Sequence, residues 1–198
     1  MKYVKMLGLA ALAAMAVMAL VGAGTASATT LDCAGVHCNV GTVIDASLSG
    51  SAKLTTTEGT VLDTCTGGTV KGVTTTTGSA TETVQGNIEE LTWGPCTEPT
   101  TTIAKGTLEI HWTSGLNGTL TAGSVPSEVT VQTTIFGSCI FTIAAGGDIG
   151  TVTGTTSGDA VFHINAVASR KSGFCPSTTK WEGTYIVTSP TPLAVTAG

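Results

Sequence analysis

The side chains able to do chemistry in this chain are few, and each has a plain structural competitor. Three histidines, His37, His111 and His163, are the only groups that titrate near neutral pH unaided. His111 and His163 stand opposite the apolar residues of their segments, so both are expected on an outer face. On neighbouring strands they would make a metal pair or a catalytic couple; otherwise they are two solvated histidines. Glu89-Glu90 is the one adjacent acidic pair. A retaining glycosidase needs its two carboxyl groups about 5–5.5 Å apart. Successive strand residues point to opposite faces, so only a bulge would bring these two closer. The segment Cys33-x3-His37-Cys38 matches half a metal site but lacks a second cysteine pair at ligand spacing. No His-x-His, His-Glu-x-x-His or Gly-x-Ser-x-Gly occurs. The residues therefore assign no catalytic, metal-ligating or cofactor-binding role.

The six cysteines, Cys33, Cys38, Cys65, Cys96, Cys139 and Cys175, read as a disulfide framework in an exported chain. Six cysteines allow 15 connectivities. The sequential pairing Cys33–Cys38, Cys65–Cys96 and Cys139–Cys175 is expected, because each bridge would staple neighbouring elements. Chain entropy makes each of the two longer loops worth roughly 3–4 kcal/mol and the short one about 2. The three tryptophans raise a carbohydrate-stacking reading, but alternation turns them inward. Trp112 shares a face with Leu108 and Ile110, and Trp181 with Tyr185 and Val187. Trp93, three residues before Cys96, is expected in the core against a disulfide. Threonine runs at 55–57, 74–77 and 100–102 are too irregular for an ice-binding array and read as outer strand surface.

The elements that must position these residues are strands. Threonine makes up about a fifth of the 198 residues, glycine contributes 26, and only 11% of residues are charged. That composition starves a helical bundle of long polar side chains and suits a pleated surface. Ile44, Ala46 and Leu48 alternate with polar residues, and Ala52 and Leu54 continue beyond Gly50. Thr60 to Cys65 follows a turn at Glu58-Gly59, and Gly67-Gly68 marks a turn or bulge. Thr69 to Thr77 reads as an edge-like strand. Between Val84 and Trp93 the apolar parity changes, which predicts a bulge near Glu89-Glu90. Thr107 to Thr113 is the clearest strand, and Asn117-Gly118 after it suits a two-residue hairpin; Asn117-Gly118-Thr119 is also a glycosylation sequon. Val129, Val131, Thr133 and Ile135, then Cys139, Phe141 and Ile143, continue the alternation. Gly150 to Thr155, Ala160 to Ala168 and the segment from Trp181 to Val187 complete it. The expectation is an all-β fold, a single antiparallel sandwich or barrel of about ten short strands over residues 29–198.

Residues 1–28 read as a leader. Lys2 and Lys5 precede an apolar run from Met6 to Val21, and Ala26-Ser27-Ala28 offers a peptidase site, so the mature chain is expected to start at Thr29. Neither a twin-arginine pair nor a lipid-anchor cysteine is present, which favours the general secretory route. Cleavage removes two lysines and no acids, taking the formal charge from −5 to −7. An acidic chain of this kind excludes a basic nucleic-acid binder.

Three segments, Thr64-Cys65-Thr66-Gly67-Gly68-Thr69-Val70, Leu91-Thr92-Trp93-Gly94-Pro95-Cys96-Thr97 and Gly106-Thr107-Leu108-Glu109-Ile110, together with the leader resemble a group of small exported β-rich proteins of high-GC Gram-positive bacteria. The resemblance implies export and a β fold. It supplies no activity and no site residue, since its motifs are cysteines, turn glycines and a strand tryptophan. The function expected is that of an exported non-catalytic binding or cell-surface interaction module, with an extracellular polysaccharide or protein as partner class. A carbohydrate-binding module or a carboxylate-dependent glycoside hydrolase is the alternative.

Overall fold

The computed structural model describes residues 28–98, 103–134 and 136–198. The leader through residue 27, the threonine run at 100–102 and Ile135 lie outside the described residues. In chain order the strands are β1 (Thr29–Cys33), β2 (Val36–His37), β3 (Val43–Thr56), β4 (Val61–Cys65), β5 (Gly68–Thr74), β6 (Gly78–Ser79), β7 (Val84–Trp93) and β8 (Ile103–Lys105). They continue as β9 (Thr107–Ser114), β10 (Asn117–Ala122), β11 (Ser127–Thr133), β12 (Gly137–Ile143), β13 (Asp148–Thr153), β14 (Val161–Ser172), β15 (Thr178–Ser189) and β16 (Leu193–Thr196). No helix occurs among the described residues. The fold is all-β, as composition and alternation require.

Eight strands close into an antiparallel barrel in the order β13-β10-β9-β7-β5-β3-β15-β14, with β14 pairing back to β13. Closure removes the edges that an open sheet would expose. Strands β3, β14 and β15 are 14, 12 and 12 residues long and outrun the barrel. Their far halves form an open sheet with β4 on one side and β12, β11 and β8 on the other. A small sheet, β16-β1-β2 with β6, buries Leu31, Leu193 and Val195 in the barrel core. It is tied to the barrel by Trp112 N–H donating to Thr29 Oγ1 at 2.8 Å and Val195 N–H to the Leu116 carbonyl at 3.0 Å.

Two apolar clusters follow from this layout. One fills the barrel around Ile110, Leu120, Val152, Phe162 and Tyr185; the other lies under the open sheet around Leu54, Val131, Phe141 and Ala168. Disulfides join Cys33 to Cys38, Cys65 to Cys96 and Cys139 to Cys175, the sequential pattern. The outward positions Glu109, His111, Thr119, Thr151, His163 and Thr184 are polar, the reverse of a lipid-facing barrel exterior.

Four local expectations meet different outcomes. The bulge in β7 is present: Lys71 pairs with Glu90 and Gly72 with Ile88, so Glu89 is the extra residue. The Thr69–Thr77 segment is not an edge, because β5 lies between β3 and β7. The hairpin after β9 turns at Gly115-Leu116 rather than Asn117-Gly118, with Gly115 taking the positive φ of 57°. Gly118 is needed for space instead: a Cβ there would lie 2.8 Å from the His111 carbonyl and 3.1 Å from Val195 Cγ1. Thr55 and Thr74, read as outer surface, are buried. Thr74 Oγ1 donates to the Asn39 carbonyl at 2.7 Å and accepts from Thr42 N–H at 3.0 Å.

Candidate binding site in the barrel lumen

The inner face of the barrel is built from residues of one parity on each strand. Across neighbouring strands Val70 faces Leu91, Gly72 faces Ile88, Gly86 faces Leu108, Leu120 faces Ile110 and Gly150, and Phe162 faces Tyr185. Glycine thus recurs where alternation asks for an apolar side chain. The barrel is not filled. A cavity of about 190 Å³ runs through its interior into the second cluster, lined by aliphatic and aromatic groups that include Val84, Ile110, Phe141, Ile164, Trp93 and Trp181. Gly72 and Gly86 form part of its wall. At about 24 cal/mol per Å³ a cavity of this size forgoes roughly 4–5 kcal/mol. That is comparable with what one of the longer disulfide loops contributes. A lumen of this kind is where eight-stranded barrels hold a small ligand.

Three polar atoms interrupt the apolar wall. Trp93 Nε1, Thr179 Oγ1 and the Tyr185 hydroxyl are buried and make no hydrogen bond within the protein. All three residues line the cavity. Thr179, Trp181 and Tyr185 lie on the inner parity of β15, and Gly183 between the last two leaves room for the phenol ring. The Trp93 and Trp181 rings stack with centroids 3.9 Å apart. Burial pushes the Tyr185 hydroxyl above the ordinary phenol range, while the neighbouring indole N–H groups of Trp93 and Trp181 pull the other way. Those indoles approach the phenol without reaching hydrogen-bond geometry for Trp93. The phenol is held neutral and able to donate.

The residues singled out for chemistry lie elsewhere. His37 is exposed on β2. His111 and His163 are separated by β10 and β13, three strand spacings and so roughly 14 Å along the barrel wall. His111 Nε2 sits 3.1 Å from Thr121 Oγ1 and 3.6 Å from Glu109 Oε2. His163 and Glu182 both border a shallow hollow on the outer face where β3 bulges, but Glu182 is engaged with Lys180 at 2.9 Å. Glu89 and Glu90 are exposed on the β7 bulge. The cysteine sulfurs are all in disulfides, so the cluster of Asp63, Cys65 and Cys96 offers no thiolate to a metal. Asp63 Oδ1 instead accepts from Thr64 N–H, Thr97 Oγ1 and Glu98 N–H at 2.8, 2.7 and 3.1 Å, pinning the chain after Cys96 to β4. Trp93, expected against a disulfide, takes Trp181 as its stacking partner. Trp112 packs partly buried on the barrel cluster and donates Nε1–H to the Gly115 carbonyl at 3.0 Å. None of the three tryptophans offers an exposed flat ring to a sugar.

The lumen itself is the element that strand-by-strand reading missed. Its trace in the sequence is glycine at core parity, in Gly72, Gly86, Gly118, Gly150 and Gly183. No family model, no curated protein and no solved structure matches this chain.

Proposed function

We propose that this chain is an exported, non-catalytic binding protein that encloses a small apolar molecule in its barrel. The observation that carries the reading is the 190 Å³ cavity, walled almost wholly by hydrocarbon and running from the closed barrel into the second cluster. A cavity of about 150 Å³ lined by Leu, Ile and Phe accommodates benzene or xenon. This one suits a guest of roughly six to ten non-hydrogen atoms. Export through the general secretory route with cleavage after Ala28 belongs to the same reading. It is supported by three disulfides and by the start of β1 at Thr29, whose side chain is fully buried.

The test is a titration of the mature protein, residues 29–198, with benzene, octane and xenon, followed by amide chemical shifts. Shifts confined to the inner parity of β5, β7, β9 and β15 are expected. Absence of any lumen shift, together with retention on a polysaccharide panel, would replace this reading with a surface-binding one.

A further inference from the structure

Resting on that reading, we infer that the guest is amphipathic: a neutral, carbonyl-bearing molecule whose oxygen accepts hydrogen bonds from Trp93 Nε1–H and the Tyr185 hydroxyl. Purely apolar contents would leave both groups unpaired, and a buried polar group without a partner is costly. Tyr185 and Thr179 are each 1% exposed, so solvent at the surface does not satisfy them. The donor set defines the partner. An indole N–H can only donate, and a neutral phenol donates most readily to a stronger acceptor than itself. Both groups belong to residues that line the same cavity, and a carbonyl oxygen, with two lone pairs, can accept from either or both.

Charge narrows the class further. No lysine, arginine or histidine lines the cavity among the described residues, and the one acid there, Glu128, is paired with Lys171 outside it. A carboxylate guest would bury its charge without a counter-ion. A neutral ketone, ester or amide meets the donors without that penalty. Thr179, two residues before Trp181 on the same face of β15, offers a further hydroxyl where the cavity enters the second cluster.

The experiment is a calorimetric titration of the mature protein with octane, octan-2-one, octan-2-ol and octanoate at pH 7.5, repeated on Tyr185→Phe. The ketone is expected to bind roughly tenfold more tightly than octane, about what two neutral hydrogen bonds add net. The alcohol should fall between them and octanoate should bind weakest. Tyr185→Phe removes a hydroxyl without a bonded partner, so the variant folds, and its preference for the ketone over octane should shrink towards none. Equal affinities for ketone and octane, a preference for the alcohol or octanoate, or a ketone preference indifferent to Tyr185→Phe would each overturn the inference and leave the lumen reading standing. Failure of every compound, octane included, would overturn both.

Discussion

Gly72→Val is the sharpest probe of the barrel interior. Gly72 lies on β5 at the inner parity, pairs with Ile44 and Ile88, and forms part of the cavity wall. A Cβ built there meets nothing nearer than the Asn87 carbonyl oxygen at 3.4 Å, and its φ is not in the left-handed region. Valine adds three carbons to the lumen, worth about 0.8 kcal/mol each on burial. Exchange of glycine for a β-branched residue in a strand contributes up to about 1 kcal/mol more, and rotamer ordering withdraws about 0.5. The expected net gain is about 2–3 kcal/mol, or roughly 4–12 °C in Tm for a chain of this size. At about 30 Å³ per added group, close to half of the cavity is consumed. Binding of octane should therefore weaken at least tenfold while thermal unfolding moves upward. Gly183→Val is the control. There a Cβ would lie 3.0 Å from Ala52 Cβ and 3.3 Å from Tyr185 Cε2, so overpacking should destabilise by about 1–3 kcal/mol. A Gly72→Val variant that loses more than about 1 kcal/mol shows that the space is already filled by side chains. One that gains stability with guest binding unchanged shows that the guest sits elsewhere.

Replacing Cys139 and Cys175 by serine removes a bridge spanning 36 residues and should cost about 3–4 kcal/mol in urea unfolding. Hydrogen exchange should rise first in β11 and β12, and equal loosening of the barrel strands would refute the division into two clusters. Trp112→Ala should cost about 2–3 kcal/mol because the indole is only partly buried, whereas His111→Ala on the outer face should stay within roughly 0.5 kcal/mol. The opposite order in chemical denaturation would reverse the assignment of faces. Tyr185 is the only tyrosine beyond the leader, so phenolate absorbance reports it alone. Its raised pKa means that the folded state keeps the proton after the unfolded chain has lost it. Stability is thus fully present below about pH 10 and declines as pH rises through the folded value. Tyr185→Phe should flatten that alkaline decline, and a phenolate that titrates at the ordinary value would show the hydroxyl to be solvated.

Much of the β architecture was legible because alternation is a local property. The parity change from Ile88 to Leu91 located the β7 bulge, and the order of the cysteines matched bridges between neighbouring elements. Neighbour relations were less accessible. Alternation on either side of Gly50 left open what joins the two runs, and β3 passes through it as a bulge opposite β15 with a φ of 79°. Glycine permits a turn and a bulge equally well. Thr69 to Thr77 carried the threonine content of an edge, and only closure of the barrel supplied its second partner. The hairpin was misplaced by two residues because Gly115 and Gly118 both stand near the turn. Only one of them needs positive φ; the other makes room for Val195.

The lumen was illegible for a deeper reason, since it belongs to no strand. Each inward glycine weakens its own strand by leaving nothing to pack, so a single one reads as a turn or a defect. Around the closed wall they do not play one role: at Gly86 and Gly150 the backbone of the neighbouring strand, the Val73 and His163 carbonyls, takes the room a Cβ would need. At Gly118 and Gly183 the missing side chain is replaced by neighbours, Ile110 and Val195 in one case, Tyr185 and Leu48 in the other. At Gly72 no side chain moves in, and the cavity opens beside it. The barrel is thin on the β5–β7 side and crowded on the β10 and β15 sides. An asymmetry of that kind points to a site with a back wall and a polar anchor, because the Tyr185 hydroxyl is brought to its place from the crowded side. Packing demand alone would have put a larger residue at Gly72, where the backbone accepts one without strain. Its smallness is therefore a feature of the site rather than of the strand.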